Sequence, residues 1–155
     1  MFATPVVRVI DCHVARRTEN GWEYLVLLRA VDHLDSGHWR VVTGKIESNE
    51  TAWGAALREL TEETGFRNAS LFAVPYVNQF YEWQHDRINA IPVFVAVVEH
   101  GAKPTLNEEH IDSRWIDVDQ AVSILSWPGQ REGLRAAHAM LSGYHPEIDT
   151  LEIRK

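Results

Sequence analysis

The first third of the chain alternates short apolar runs with polar breaks, a pattern typical of β-strands. Residues 6–14 are rich in β-branched side chains and predict a first strand. Asn20-Gly21 is a strong hairpin signal. It separates that strand from a second apolar run over residues 23–28. Residues 38–42 predict a third, short strand, which leads into Thr43-Gly44. Three strands therefore precede the first helix.

A helix is predicted from Glu50-Thr51 to Gly65. Gly65 suits a left-handed cap at its end. The helix can lie close to a sheet because it carries three small residues, Ala52, Ala55 and Ala56.

Two long strands follow, around residues 71–84 and 88–99. Pro92 places an edge or a bulge in the second of them, because proline cannot donate a ladder hydrogen bond. A short strand is predicted at residues 113–116. The order to this point is three strands, a helix and three strands.

Two helices are predicted in the last third of the chain. Asp117 or Asp119 can cap a short helix through Leu125. Pro128 suits the start of a longer one. This helix is predicted to run to residue 141, because four residues at helical spacing share one face: Leu134, Ala137, His138 and Leu141. The tail over residues 143–155 is ambiguous, with a possible strand at 150–153. Periodicity alone indicates an α+β protein.

Composition and charge restrict the class of protein. A chain of 155 residues with 45% hydrophobic content suits a single domain, over residues 1–155. The net charge of −7 argues against nucleic acid as a partner. No apolar run approaches the length of a membrane span, and no leader pattern is present, so we expect no membrane partner and a cytoplasmic location. Cys12 is the single cysteine, which excludes an intrachain disulfide.

Three carboxylates cluster within the predicted first helix, in Arg58-Glu59-Leu60-Thr61-Glu62-Glu63. At about 100° per residue, Glu59 and Glu63 lie about 40° apart and Glu62 lies about 60° to the other side of Glu59. Like charges on one face repel each other, and a cation would compensate for this repulsion. Oxygen-only ligands favour Mg²⁺, or Mn²⁺. The alternative is an ordinary solvated acidic face.

The sequence around this cluster resembles the Nudix box. The box has fixed positions over residues 44–66, and every one of them is filled at the expected spacing, by Gly44, Glu50, Arg58, Glu59, Leu60, Glu62, Glu63, Gly65 and Phe66. The resemblance implies the Nudix fold, an α/β/α sandwich with a mixed β-sheet. It also implies a hydrolase that attacks a phosphoanhydride bond with water.

The resemblance implies a role for each polar residue of the box. Glu59, Glu62 and Glu63 are the expected metal ligands, and the carbonyl of Gly44 maps to a further ligand of the family. Bound metal would clamp the substrate and activate a water. Arg58 is expected to hold the ligands in register through a carboxylate partner, for which Glu50 is the candidate. A purely structural role of Arg58 and Glu50 is the alternative.

Two carboxylates compete for the role of catalytic base. Glu59 is one candidate. The other, Glu109, precedes His110 in a segment that looks like a metal-binding or water-positioning loop of some family pyrophosphohydrolases. The alternative for Glu108-Glu109 is an exposed acidic turn.

A second resemblance narrows the substrate. Thr43 before the box glycine, and the stretch from Ser126 to Gln130, are similar to the branch that hydrolyses dATP and dihydroneopterin triphosphate. The expected reaction gives a monophosphate and pyrophosphate from a nucleoside or pterin triphosphate. Ser48-Asn49 departs from the usual residue-Gly before Glu50.

The aromatic residues do not decide which substrate is recognised. Trp39, Tyr81 and Trp83 are candidates to stack on a substrate ring, with core packing as the alternative. Tyr81 lies where dinucleoside polyphosphate hydrolases carry a tyrosine, which supports that activity as an alternative. A non-catalytic nucleotide sensor is a further alternative, although such proteins typically lose box carboxylates that this chain retains. The expected assembly is a monomer or a homodimer.

Overall fold

The structure is a computed structural model that describes residues 2–29 and 37–154, except for the side chain of Tyr144. Eight strands of the described residues form one sheet. The strands are β1 (Thr4–Val6), β2 (Val9–Thr18), β3 (Gly21–Arg29), β4 (Trp39–Arg40), β5 (Val42–Lys45), β6 (Ser70–Glu82), β7 (Arg87–Val98) and β8 (His110–Ile116). The α-helices are α1 (Ala52–Thr64), α2 (Val118–Ile124), α3 (Pro128–Ala139) and α4 (Ile148–Leu151). A 3₁₀ turn (Trp83–His85) joins β6 to β7, and a π-helical turn (Met140–Tyr144) follows α3.

The sheet is mixed because β7 has parallel neighbours on one side only. It pairs in parallel with β1 and β2, and antiparallel with β6. Strand β2 pairs antiparallel with β3 and β5, and β3 pairs antiparallel with β4 and β8. The predicted α/β architecture with a mixed sheet is confirmed.

Alternation along β2 divides the molecule into two layers. Ile10 and Cys12 belong to a buried apolar cluster on the side of α1, which contributes Ala55, Ala56 and Leu60. Ala15 belongs to a second cluster on the opposite side, with residues of α2 and α3. Asp11 shares the α3 side of β2, because the amide of Gln130 in α3 reaches its carboxylate. The two faces of the sheet therefore present different chemistry.

Both ends of α1 are fixed by local hydrogen bonding. The backbone N–H of Gly54 donates to the Thr51 hydroxyl at 3.0 Å, which caps the first turn. At the other end, Gly65 has φ 78° and its N–H donates to the Thr61 carbonyl. The helix predicted from 50–51 to 65 is confirmed, and these caps fix the direction in which its carboxylates point.

Pro92 lies at an irregularity in the β6–β7 pairing. The register shifts between Ala73 and Val77 of β6, and Val77 is the residue opposite Pro92. The extra residues of this irregularity lie in β6, and Pro92 falls between the residues of β7 that pair with β1 and those that pair with β2. An irregularity therefore occurs at Pro92, with its extra residues in the facing strand.

The predicted hairpin between β2 and β3 is confirmed, but its turn consists of Glu19-Asn20, since Thr18 pairs directly with Gly21. The possible strand in the tail was wrong. Residues 150–153 do not add a strand, because α4 occupies the segment as far as Leu151 and Glu152 makes only an isolated bridge to Phe72. Within the described ranges, no helix has the length and apolar character needed to cross a membrane.

Candidate active site

Arg58 is the centre of the polar network at the outer side of α1. Its Nε and Nη2 donate to the two carboxylate oxygens of Glu50 at 2.8 and 3.0 Å, and Nη1 donates to Glu59 at 2.9 Å. Nη2 also donates to the carbonyl of Lys45 at 2.8 Å. The bond from Arg58 is the main reason that the pKa of Glu50 falls to about 2. The predicted Arg58–Glu50 pair is confirmed, and it ties α1 to the loop after β5.

The three box carboxylates of α1 occupy different environments. The side chain of Glu62 is 53% exposed and lies 3.4 Å from Arg58. Glu59 is largely buried, and burial raises its pKa. Glu63 is only 1% exposed. The helical face predicted from the sequence therefore exists, with Glu59 and Glu63 directed inward and Glu62 at its rim.

A hydrogen bond from the Thr43 backbone does not compensate for the burial of Glu63. One of its oxygens, Oε2, is buried without a hydrogen-bond partner. Burial, followed by the charges of Glu59 and Glu109, raises its pKa to about 9. A carboxyl group in such a position calls for a cation.

The start of β8 and the residue before it bring two more ligand atoms to Glu63. One ligand atom each from Glu63, Glu109 and His110 lies within 4.8 Å of the others. Carboxylate oxygens and a neutral imidazole nitrogen suit a divalent cation, and the orphaned Glu63 oxygen provides a place for one. Glu109 lies outside the box, so the fold unites it with the α1 carboxylates.

His110 is a member of this cluster that sequence reasoning missed. Its side chain is buried, and its Nε2 lies 3.6 Å from Glu63. Burial lowers its pKa to about 4, with smaller contributions from Arg40 and Arg29. The imidazole is therefore neutral at pH 7 and has a lone pair available. Its position next to Glu109 was the only signal in the sequence.

Gly44 provides the space that Glu59 occupies. It lies in β5 opposite Ile10 of β2. A Cβ built on Gly44 would lie 2.5 Å from Cγ of Glu59, and nearer still to its carboxyl group. Only glycine at this position lets the α1 carboxylate approach the strand backbone.

A cavity of about 660 Å³ lies on the α3 side of the sheet, beside Thr43. Its floor contains Asp11, Asn78 and Gln130, three polar residues that are all buried. Burial raises the pKa of Asp11 to about 6. Tyr76, Phe80 and Trp127 contribute aromatic walls, and Arg29 and Arg40 contribute cationic ones. Its volume is sufficient for a flat ring with its attached sugar.

The three aromatic residues singled out in the sequence lie elsewhere. Arg114 stacks on Trp39 at 4.5 Å from the ring centroid. The exposed Tyr81 donates its hydroxyl to Asp86 at 2.8 Å, and Trp83 is exposed in the turn between β6 and β7. The described lining of the cavity contains none of the three, so their contact with substrate stays a prediction.

Comparison with known proteins identifies the family. The model of the NUDIX domain matches residues 7–137. The chain belongs to the Nudix family. The match extends from β2 to α3 and therefore includes the carboxylate cluster and the cavity floor. Nudix proteins are hydrolases that act on phosphoanhydride bonds of nucleotide-like substrates, and this chain is one of them.

The relatives differ in their reported activities. The chain is 33% identical over 144 residues to an octanoyltransferase of Myxococcus xanthus, covering 88% of this chain and 38% of that protein. The chain thus spans well under half of that relative. It is 23% identical over 141 residues to an asymmetrical bis(5'-nucleosyl)-tetraphosphatase of Caenorhabditis elegans, covering 90% and 99%. It is 30% identical over 113 residues to a dihydroneopterin triphosphate diphosphatase of Haemophilus influenzae, covering 65% and 71%.

Solved structures of the same fold include relatives of both kinds. The Ap4A hydrolase of C. elegans has a TM-score of 0.74 at 22% identity, covering 89% of this chain and 99% of that one. The dihydroneopterin triphosphate pyrophosphohydrolase of E. coli has a TM-score of 0.71 at 21% identity, covering 89% and 98%. These TM-scores show that the Nudix hydrolase shares its fold with both structures.

Proposed function

We propose that this Nudix hydrolase is a Mg²⁺-dependent pyrophosphohydrolase that cleaves a nucleoside or pterin triphosphate to the monophosphate and pyrophosphate. The observation that carries the proposal is the inward convergence of Glu59, Glu63 and Glu109. Thr43, the residue before Gly44 in β5, lines the large cavity on the α3 side of the sheet. The dihydroneopterin triphosphate diphosphatase among its relatives supports the same substrate class.

The proposed ligand set consists of Glu59, Glu62, Glu63, Glu109 and the carbonyl of Gly44. Glu63 and Glu109 are the central members, since their ligand atoms already lie together. Glu62 is at the rim and would bind from the solvent side. Bound Mg²⁺, with Mn²⁺ as a substitute, would neutralise phosphate oxygens and acidify a bound water.

In the proposed reaction, the oxygen of water forms a bond to phosphorus as the bridging anhydride bond breaks. Glu59 or Glu109 accepts the proton of that water, and the electron pair of the broken bond leaves with the departing phosphate group. Arg58 is a positioning residue, because its 2.9 Å bond holds the Glu59 carboxylate towards the cluster. Its second anchor, Glu50, prevents the guanidinium from moving with the substrate.

Product analysis tests this proposal. The purified protein, with Mg²⁺, is incubated with dATP, dGTP, dihydroneopterin triphosphate and Ap4A in ¹⁸O-water. Mass spectrometry then identifies the products and the labelled phosphorus. Monophosphate and pyrophosphate are expected, and activity should disappear with EDTA and in Glu63→Gln. Orthophosphate together with a diphosphate would refute the assigned bond.

A second candidate function is dinucleoside tetraphosphate hydrolysis. The tetraphosphatase of C. elegans, which aligns over 90% of this chain, favours it. In the same assay, a strong preference for Ap4A over every triphosphate would select this function.

A further inference from the structure

The floor of the cavity is built around a buried carboxylate, that of Asp11. Asn78 donates to its Oδ2 and Gln130 donates to its Oδ1, each at a long distance of 3.4 Å. The backbone N–H of Val41 donates to the other end of the Gln130 amide at 3.3 Å, which orients the amide nitrogen towards Asp11. A side-chain hydrogen bond with Thr43 also lowers the pKa of Asp11, and beyond these contacts the two oxygens retain unused lone pairs. The floor is therefore a fixed pair of acceptors.

The position of Asn78 depends on the start of α3. A Cβ on Gly129 would overlap the Asn78 amide, so glycine is required there for the side chain to sit beside Asp11. Gly129 and Gln130 belong to the first turn of α3, and Asn78 belongs to β6. Three separate elements, β2, β6 and α3, thus converge on one carboxylate.

The mouth of the cavity exposes flat apolar surface. Phe80 and Trp127 line it and are 50% and 56% exposed, although both are large aromatic residues. Aromatic faces that remain in contact with water at a polar-floored cavity suit a planar heterocycle, which covers them and leaves its edge for the floor.

The cationic wall of the cavity would determine the orientation of a bound ligand. Arg40 lines the cavity, and its charge acts on both Asp11 and His110. It is therefore within electrostatic range of both the floor and His110 of the carboxylate cluster. Thr43 also lines the cavity and immediately precedes Gly44. A ring on the floor would direct its phosphates past Arg40 to the Gly44 end.

From this arrangement we infer that Asp11 selects a 2-amino-4-oxopyrimidine ring, the ring that guanine and pterins share. Such a ring presents its lactam N–H, which is N1–H in guanine and N3–H in pterins, side by side with its 2-amino group. These two parallel donors match the two oxygens of one carboxylate, in the geometry by which a guanidinium binds a carboxylate. This inference rests on the proposed function, and it narrows that function to one class of ring.

Other rings fit the floor less well. Adenine presents an amino donor beside the N1 acceptor, and N1 would face a carboxylate oxygen that cannot donate. Cytosine has the same donor–acceptor pair. Uracil and thymine place one N–H between two carbonyls. Dihydroneopterin triphosphate and guanine nucleotides are therefore favoured over dATP.

Ligand binding in the absence of hydrolysis tests the inference. Isothermal titration of the wild-type protein in EDTA compares GMP, IMP and AMP. IMP retains the N1–H of GMP and lacks the 2-amino group. Since hydrogen bonds to charged groups are the stronger ones, GMP should bind at least about tenfold more tightly than IMP or AMP. Equal, weaker or undetectable binding of GMP relative to the other two would overturn the inference.

Three variants identify the residue responsible. Asp11→Asn replaces one acceptor by a donor and should reduce the preference for GMP over AMP at least about tenfold. Trp127→Ala should weaken both ligands to a similar extent, because stacking is indifferent to the ring edge. Asp149→Asn, an exposed substitution in α4, should change neither affinity. An unchanged preference in a folded Asp11→Asn variant would refute the role of Asp11.

The same measurements separate this inference from the proposed function. A protein that prefers GMP over IMP but hydrolyses no triphosphate would refute the proposed function alone. A protein that hydrolyses all triphosphates equally and binds the three monophosphates equally would refute the ring selection alone. If Asp11→Asn does not fold, the comparison of GMP with IMP on the wild-type protein still decides the question.

Discussion

Gly44→Ala is the sharpest single test of the site, because it displaces one carboxylate with no change of charge. The backbone of Gly44 is outside the left-handed region, so alanine adds no backbone strain. The added Cβ would lie 2.5 Å from Cγ of Glu59, whereas ordinary contacts begin near 3.4 Å. The Glu59 side chain must therefore move by at least about 1 Å.

The displacement of Glu59 should affect both stability and catalysis. It stretches the 2.9 Å bond from Arg58, which we expect to lower the free energy of unfolding by about 1–2 kcal/mol. For a chain of this length, the melting temperature should fall by about 2–8 °C. It also moves a proposed ligand and base, and a shift of about 1 Å in a reacting group can reduce kcat about 100-fold.

The assay combines Mg²⁺-dependent kinetics with thermal unfolding. A double variant, Gly44→Ala with Glu59→Ala, provides the control, since removal of the Glu59 carboxylate removes the clash. Gly44→Ala should then add little further loss of stability or activity to Glu59→Ala. Full activity of Gly44→Ala alone, or strictly additive losses in the double variant, would refute the assigned contact.

The remaining predictions concern the metal ligands, the two carboxylates just before β8, and His13, which is buried in β2. Glu63→Gln should lower kcat at least about 100-fold in a folded protein, and Glu62→Gln should lower it less; equal, full activity in both would exclude the metal site. Glu109→Gln should damage kcat more than Glu108→Gln, and the reverse order would show that the wrong carboxylate was chosen. Burial lowers the pKa of His13 to about 3, so its neutral form stabilises the fold fully above pH 6.5, and this contribution is lost as the pH falls towards 3. The stability lost in His13→Gln, measured by urea unfolding, should therefore shrink by about 1.4 kcal/mol per pH unit below 6.5, and a pH-independent difference would contradict the assignment.

The sequence predicted the relative positions of side chains that lie on one element, because the geometry of that element determines them. Glu59 and Glu63 share a face of α1 because the helical repeat requires it, and Gly65 ends the helix because it accepts φ 78°. The pairing of Arg58 with Glu50 was expected from the spacing of the box and is observed. Pro92 indicated an irregularity in the ladder because its missing donor is a local property, although the extra residues lie in the facing strand β6.

The tertiary structure decided which distant residues meet. His110 at the start of β8 and Glu109 just before it lie beside Glu63, and the spacing of 46 residues between Glu63 and Glu109 does not by itself predict that approach. Asp11 was not predicted as a site residue. The only indication in the sequence was an acidic residue within an otherwise largely apolar strand. Its partners on β6 and α3 become neighbours only when the helix packs on the sheet. Trp39, Tyr81 and Trp83 were chosen for their type, whereas exposure at the cavity depends on how β6 and the start of α3 are placed. Periodicity and motif spacing determine what lies on one element, and the packing of elements determines which of those groups form a site.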